Sequence, residues 1–180
     1  MSGWRVMGRP EIPEGYGVEE GGDYLEWAEV EARLVAAIHY WVATSRPDGR
    51  PHVVPRWGVW VEDRFWYDGS PMTRHGRNLR SNDSCALHLE DGAAPTIVEG
   101  RVTWPDPVQD PFGKLLSDEF KRKYEALGYA PEPDSWSGEH SGGLLVLTPI
   151  RAIAWSSFPG DLTRFEYGSA DIPSGPGRGL

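Results

Sequence analysis

The 180-residue sequence predicts a mainly β fold: a closed or nearly closed antiparallel barrel with flanking helices. Two observations carry that expectation. Five or six strand-patterned segments follow one another, most of them linked by short turns rich in Gly, Asp and Pro, as hairpins require. Two helix-patterned segments stand apart from each other rather than alternating with the strands, which argues against a parallel βαβ sheet.

Met1 to Asp23 reads as a partly ordered N-terminal arm, residues 24–168 as one domain with one core, and the Gly- and Pro-rich run 169–180 as a flexible tail. The first helix is expected from about Tyr24 to Ile38. Asp23 is its cap, and Tyr24, Trp27, Ala28, Leu34, Val35 and Ile38 form its apolar face, interrupted by Glu31. At Tyr40 the period changes to that of a strand, running to Ser45. Pro47-Asp48-Gly49-Arg50 then turns the chain. One long strand is expected from His52 to Val61. Val53, Pro55, Trp57, Val59 and Val61 form its core face, and His52, Arg56 and Trp60 lie opposite. Further strands follow at Phe65–Asp68, Ser84–Leu89, Pro95–Trp104, Gly143–Ser157 and Arg164–Tyr167. The second helix has Asp110 as cap, Pro111 in the first position, an apolar stripe of Leu116, Phe120, Tyr124 and Leu127, and Gly128 as its stop.

Composition narrows the function classes. The formal net charge is −9, which disfavours non-specific nucleic-acid binding. No apolar run reaches the roughly 18 residues that a spanning helix needs, so no membrane association is expected. The N-terminus has no apolar stretch of the secretory type. Cys85 is the single cysteine, so no intrachain disulfide forms, and a cytoplasmic location fits. His39, His52, His75, His88 and His140 are not spaced as ligand pairs, so no metal site is expected. There is no nucleophile elbow, no Walker loop and no dinucleotide fingerprint.

The segment with most chemical content is Tyr67 to Arg80, Y-D-G-S-P-M-T-R-H-G-R-N-L-R. A strand ends, a Gly/Ser turn follows, and a short helix is expected to begin near Thr73. Helix N-termini present unpaired amides and partial positive charge, which together hold a phosphate. Ser70 and Thr73 add hydroxyls; Arg74 and Arg77 add charged, forked donors.

Trp41 to Trp57, W-V-A-T-S-R-P-D-G-R-P-H-V-V-P-R-W, resembles the opening hairpin of the pyridoxamine 5′-phosphate oxidase-like, FMN-binding split-barrel superfamily. Asp68 to Asn82 resembles its phosphate-binding turn and helix. His88 to Gly92 and Ile97 to Gly100 follow in the family's order, and Ala154 to Phe165 resembles the last strand of the flavin/deazaflavin branch. The resemblance implies a six-stranded split barrel that forms a homodimer, with FMN or F420 in a groove between subunits. It implies that Ser70, Thr73, Arg74, Arg77 and Asn78 meet the phosphate. Val54, Pro55, Arg56 and Trp57 would lie along the ring system, and Trp155 and Arg164 would complete the pocket from the other subunit. His75 stands where the family commonly has Lys. Beside a phosphate, its protonation would raise affinity as pH falls through the neutral range. The Arg/His arrangement that binds substrate phosphate in true pyridoxamine 5′-phosphate oxidase is not found, so vitamin B6 oxidation is not expected.

The implied activity is hydride transfer between FMN or F420 and a small conjugated acceptor. The alternative is a protein that binds or sequesters flavin, F420 or haem without turnover. His52, His88 and Tyr67 are candidate proton donors, and the sequence singles out no catalytic residue. Arg80 and Arg50 are candidates for meeting the acidic tail of F420.

Overall fold

A computed structural model describes residues 3–13, 23–137 and 143–168. Among these, nine strands form one antiparallel sheet system, with three α-helices. The elements are β1 (Trp4–Gly8), α1 (Trp27–Ala36), β2 (Tyr40–Ser45), β3 (Pro51–Arg56), β4 (Val59–Val61), β5 (Arg64–Asp68), α2 (Arg74–Ser81), β6 (Ser84–His88), β7 (Thr96–Thr103), α3 (Phe112–Tyr124), β8 (Leu144–Ala154) and β9 (Thr163–Tyr167). The hydrogen-bonded path runs β1-β9-β8-β7-β6-β2-β3, and β5 joins β4 to β8. β8 is the spine of the sheet. Its first half pairs with β5 and its second half with β9, while β7 runs along its other side. The sheet curls without full closure, which makes it a split barrel rather than a sealed one.

The strands exceed the expected six. β1 lies within the predicted arm, where it pairs with β9, and Trp4 stacks on Trp27 of α1 at 3.9 Å. The single strand expected over 52–61 is two, β3 and β4, broken at Trp57-Gly58. The break changes the burial reading. Val53 and Pro55 are exposed on β3, an edge strand, and Trp60 is buried. α1 is shorter than expected, and Glu26 rather than Asp23 stands at its cap. It buries Trp27, Val30 and Leu34, leaving Tyr24 and Ile38 exposed. α3 starts at Phe112 after Pro111, with Asp110 accepting from the Lys114 amide. Its continuation stops at Gly128, whose φ is 87°. The predicted tail 169–180 and His140 lie outside the described residues.

Burial divides into two clusters rather than one core. Strand alternation explains why. Phe65 and Tyr67 of β5, with Leu145 and Leu147 of β8, face the barrel interior beside Leu34, Tyr40 and Phe165. Trp66, Leu144 and Val146 alternate with them and face α3, meeting Leu116, Phe120 and Tyr124. α3 therefore covers the back of β4 and β5. It also clamps the β3–β4 corner: the Tyr124 hydroxyl sits 2.7 Å from the Gly58 carbonyl and 2.9 Å from its amide. Lys123 Nζ, buried, donates to the same carbonyl at 3.1 Å and to Tyr40 Oη at 2.8 Å.

Candidate functional site

β5 delivers Asp68 to the sheet end, and Gly69 to Thr73 turn the chain into α2. Gly69 is anchored by its amide to the Gly143 carbonyl at 3.0 Å, tying the turn to the start of β8. Thr73 is the N-cap, as its residue type favours. Its Oγ1 accepts from the Gly76 amide at 3.2 Å and donates to the Ser70 carbonyl at 2.7 Å. Ser70 Oγ accepts from the Met72 amide at 3.2 Å, which leaves its own proton to donate. Among the described residues, the amides of Arg74 and His75 have no acceptor. Arg74 and Arg77 are exposed, and neither joins an ion pair among the described residues. The exposed end of α2 is thus a cluster of donors suited to an anion.

The helix phase separates the expected phosphate ligands. Arg74 and Arg77 face outward. Asn78 is fully buried beside His75 and Leu79, and its Nδ2 donates to Thr44 Oγ1 of β2 at 3.0 Å. Asn78 therefore fastens α2 to the sheet from below rather than lining its exposed end. His75 is buried too. Desolvation, then the nearby Arg56 and His52, lower its pKa to about 4, so the expected gain of charge in the neutral range does not occur.

A cavity of about 480 Å³ opens beside the turn, lined by Arg56, Asp68, Gly69, Ser70, Tyr129 and Trp136 among others. Arg56 donates to the Asp68 carbonyl. The Asp68 carboxylate accepts from Trp136 Nε1 at 2.8 Å and from the Tyr129 hydroxyl. Burial raises its pKa, opposed by the Trp136 hydrogen bond and by Arg56. Asp68, Tyr129 and Trp136 were not anticipated as site residues. For Asp68 there was a signal, its place as the last strand residue before the turn. For the other two there was none, since no element was expected between Gly128 and Gly143.

Of the expected ring-facing residues, Arg56 lines this cavity, and Trp57 stacks on Tyr124 at 5.1 Å with 14° between planes. Val54 is half-buried and Pro55 exposed, paired with Val42 and Trp41 of β2. Trp155 and Arg164 are elsewhere. Trp155 follows the far end of β8, near Phe158 and the Pro95 carbonyl. Arg164 lies on β9 with its Nε 4.0 Å from Glu166. At about 3.3 Å per residue, the eleven residues of β8 put some 35 Å of strand between them and the α2 turn. One copy of the chain does not bring these two residues to the turn.

The candidate proton donors are also dispersed. Tyr67 is fully buried, and burial raises its pKa far above the ordinary range. His88 Nδ1 donates to the Leu89 carbonyl at 2.9 Å, and the ring lies parallel to Trp41. His52 is half-buried on β3.

Residues 27–156 match the pyridoxamine 5′-phosphate oxidase family. The chain belongs to that family. No curated protein matches the chain. Among solved structures, one titled F420 reductase is 22% identical, covers 78% of this chain and 98% of its own, and superposes with a TM-score of 0.50. A haem-binding protein from Mycobacterium smegmatis is 17% identical, with 82% of this chain and 60% of its own covered, at 0.59. The haem-storage protein HutZ from Vibrio cholerae is 18% identical, with 71% and 91% covered, at 0.52. At these identities the likeness shows the fold that pyridoxamine 5′-phosphate oxidase relatives share. Among the described residues, no helix is long and apolar enough to cross a membrane.

Proposed function

We propose that this chain is an oxidoreductase that holds FMN or F420 by its phosphate at the N-terminus of α2 and passes hydride to a small conjugated acceptor. The observation that carries this reading is the donor cluster around one turn: two amides and the guanidiniums of Arg74 and Arg77, all without an acceptor among the described residues, and the Ser70 hydroxyl. The donors suit a phosphate in kind and in charge, and the adjoining cavity is of small-ligand size. When bound, either cofactor supplies the hydride chemistry itself. The chain binds and orients. Arg74 and Arg77 hold the anion, and the Arg56 guanidinium sits at the cavity wall. Tyr129 and Trp136 give aromatic surface that excludes water. Asp68, its pKa raised by burial, is the acid of the cavity and holds its proton to higher pH than an exposed aspartate.

The haem-binding and haem-storage neighbours support a second reading, binding without turnover. Titration of the purified protein with FMN, F420 and haem, followed by steady-state oxidation of the reduced cofactor with a panel of acceptors, separates the two. Binding with no turnover above the free-cofactor rate leaves the second reading standing; no binding of FMN or F420 removes the first.

Arg74→Ala is expected to weaken FMN or F420 binding by about 10- to 100-fold, the loss of one charged hydrogen bond, with the thermal midpoint unchanged because Arg74 is exposed. An unchanged dissociation constant removes Arg74 from the site.

The active unit is proposed to be a homodimer with shared pockets. Val53 and Pro55 on edge strand β3 and Ile150 on β8 are exposed apolar residues of the sheet, and Trp155 and Arg164 reach a ligand at α2 only from a second copy. If Arg74→Ala and Trp155→Ala each abolish binding, mixing them with random subunit exchange restores about a quarter of the wild-type sites, since half the dimers are mixed and each regains one pocket of two. Verified exchange without recovery, or a monomer by light scattering that still binds, overturns the shared pocket.

A further inference from the structure

We infer that His75 is a positioning residue: a neutral imidazole, protonated on Nδ1, that locks the anion-binding turn through Thr73. The ligand in this inference rests on the cofactor reading above; the protonation state does not.

The assignment follows from counting protons at one oxygen. A hydroxyl has one proton to give and two lone pairs to receive. Thr73 Oγ1 has three neighbours: the Ser70 carbonyl at 2.7 Å, the Gly76 amide at 3.2 Å and His75 Nδ1 at 2.9 Å. The carbonyl can only accept and the amide can only donate. All three bonds form together only if Thr73 gives its proton to Ser70 and His75 gives the Nδ1 proton to Thr73. In the neutral ring Nε2 is then a bare acceptor.

The surroundings of Nε2 agree. His75 is 2% exposed, and Nε2 has no hydrogen-bond partner among the described residues. A Cβ placed on Gly69 would lie 2.9 Å from Nε2 and 3.3 Å from Arg56 Nη2, so the ring nitrogen and the guanidinium share one small space. A second proton on the ring would meet that cation. His52, on β3 with Arg56, also disfavours it. From β5, Tyr67 presents a ring 6.1 Å away whose hydroxyl stays neutral, and the Asp68 carboxylate is engaged by Tyr129 and Trp136. On α2 itself the adjacent charge is Arg74. Among the described residues, no carboxylate faces the imidazole to hold it charged. Burial and the two β3 groups accordingly lower its pKa to about 4.

The consequence is geometric. With Thr73 held on three sides, the turn from Ser70 to Gly76 is pre-set, and the amides of Arg74 and His75 need no rearrangement on binding. His75 contributes no charge to the anion; it contributes the shape of the turn.

Amide side chains separate the two ring nitrogens. The Asn Nδ2 falls where His Nδ1 lies, and the Gln Nε2 falls where His Nε2 lies. FMN and F420 are titrated by fluorescence into wild type, His75→Asn, His75→Gln and His75→Leu, with thermal melting as the folding check. His75→Asn is expected within about threefold of wild type, and His75→Gln and His75→Leu about tenfold weaker or more. The imidazole contribution to wild-type affinity is expected to be flat from about pH 5.5 to 8. Two readouts need no cofactor. Nitrogen–proton NMR correlation of the wild-type imidazole is expected to show the neutral Nδ1–H form across that range. Hydrogen exchange at the Gly76 amide is expected to be slow in wild type and His75→Asn and faster in the other two. The Nε2–H form, titration of His75 within that range, or retention by Gln but not Asn overturns the inference. If wild type binds neither FMN nor F420, the cofactor reading fails, and the NMR and exchange results still decide His75.

Discussion

Replacing Gly58 by alanine is expected to lower the thermal midpoint by about 10 °C and to weaken cofactor binding with it, taking roughly 3 kcal/mol of lost stability and a few degrees per kcal/mol for a chain of this size. A Cβ at this position would fall 2.3 Å from the Phe65 ring and 2.6 Å from the Trp66 carbonyl. Phe65 is fully buried among Tyr40 and Tyr67 and has nowhere to swing, and the carbonyl is backbone. The corner must therefore move, and it is held on its other side. The Gly58 amide and carbonyl bond Tyr124, and the carbonyl also bonds Lys123. Moving it strips those bonds and shifts Trp57, the next residue. Gly92→Ala is the control, since among the described residues nothing lies within 4 Å of its Cβ position and its φ is ordinary. Equal melting of the two variants would falsify this account of the corner.

The second large effect is on pH. Lys123 is buried with no carboxylate in hydrogen-bond or ion-pair contact among the described residues, bonded to the neutral Tyr40 Oη and Gly58 carbonyl. Desolvation, then repulsion from Arg122, lower its pKa to about 7. An unfolded lysine titrates near 10.4. Between these values the unfolded chain binds the extra proton, so stability rises with pH across that window and the penalty is fully present below it. His75 acts in the same sense at lower pH, between about 4 and its ordinary value. Tyr40 and Tyr124, both raised by burial, reverse the trend once unfolded tyrosine ionises near pH 10. Denaturant unfolding from pH 6.5 to 9.5 should therefore show a gain of about 2–3 kcal/mol in wild type, and a much flatter profile in Lys123→Met. The same slope in both proteins removes Lys123 as the cause.

The parts of the fold that could be read from the chain were those set by local chemistry. Strand β2 and the Pro47–Arg50 turn follow from period and turn residues, and the stop after α3 follows from Gly128 in its left-handed conformation. The break at Trp57-Gly58 was hidden, because apolar alternation runs straight across it and only the approach of Phe65 and Tyr124 imposes the corner. β1 was hidden for a similar reason: its partner is β9, at the opposite end of the sequence. At the site, the turn and its arginines were readable from residue type. The inward phase of Asn78 was readable as well, since Leu79 marks the buried face and His75 precedes it by four. The Asp68 pocket was not readable. Its hydrogen-bond partners lie 61 and 68 residues away, in a segment with no period of its own.

The pairing of β1 with β9 has a temporal consequence. Trp4 cannot settle against Tyr167 until all of the chain between them has been made. At translation rates of 5–20 residues per second, the interval is roughly 8–30 seconds. Throughout it, β1 lacks the β9 strand that holds Trp4 over the Trp27 ring at 3.9 Å, even if α1 has already formed. The nascent chain thus carries an unshielded indole through that interval, the kind of surface that holding chaperones grip. The arrival of β9 is what lets β1 come to rest.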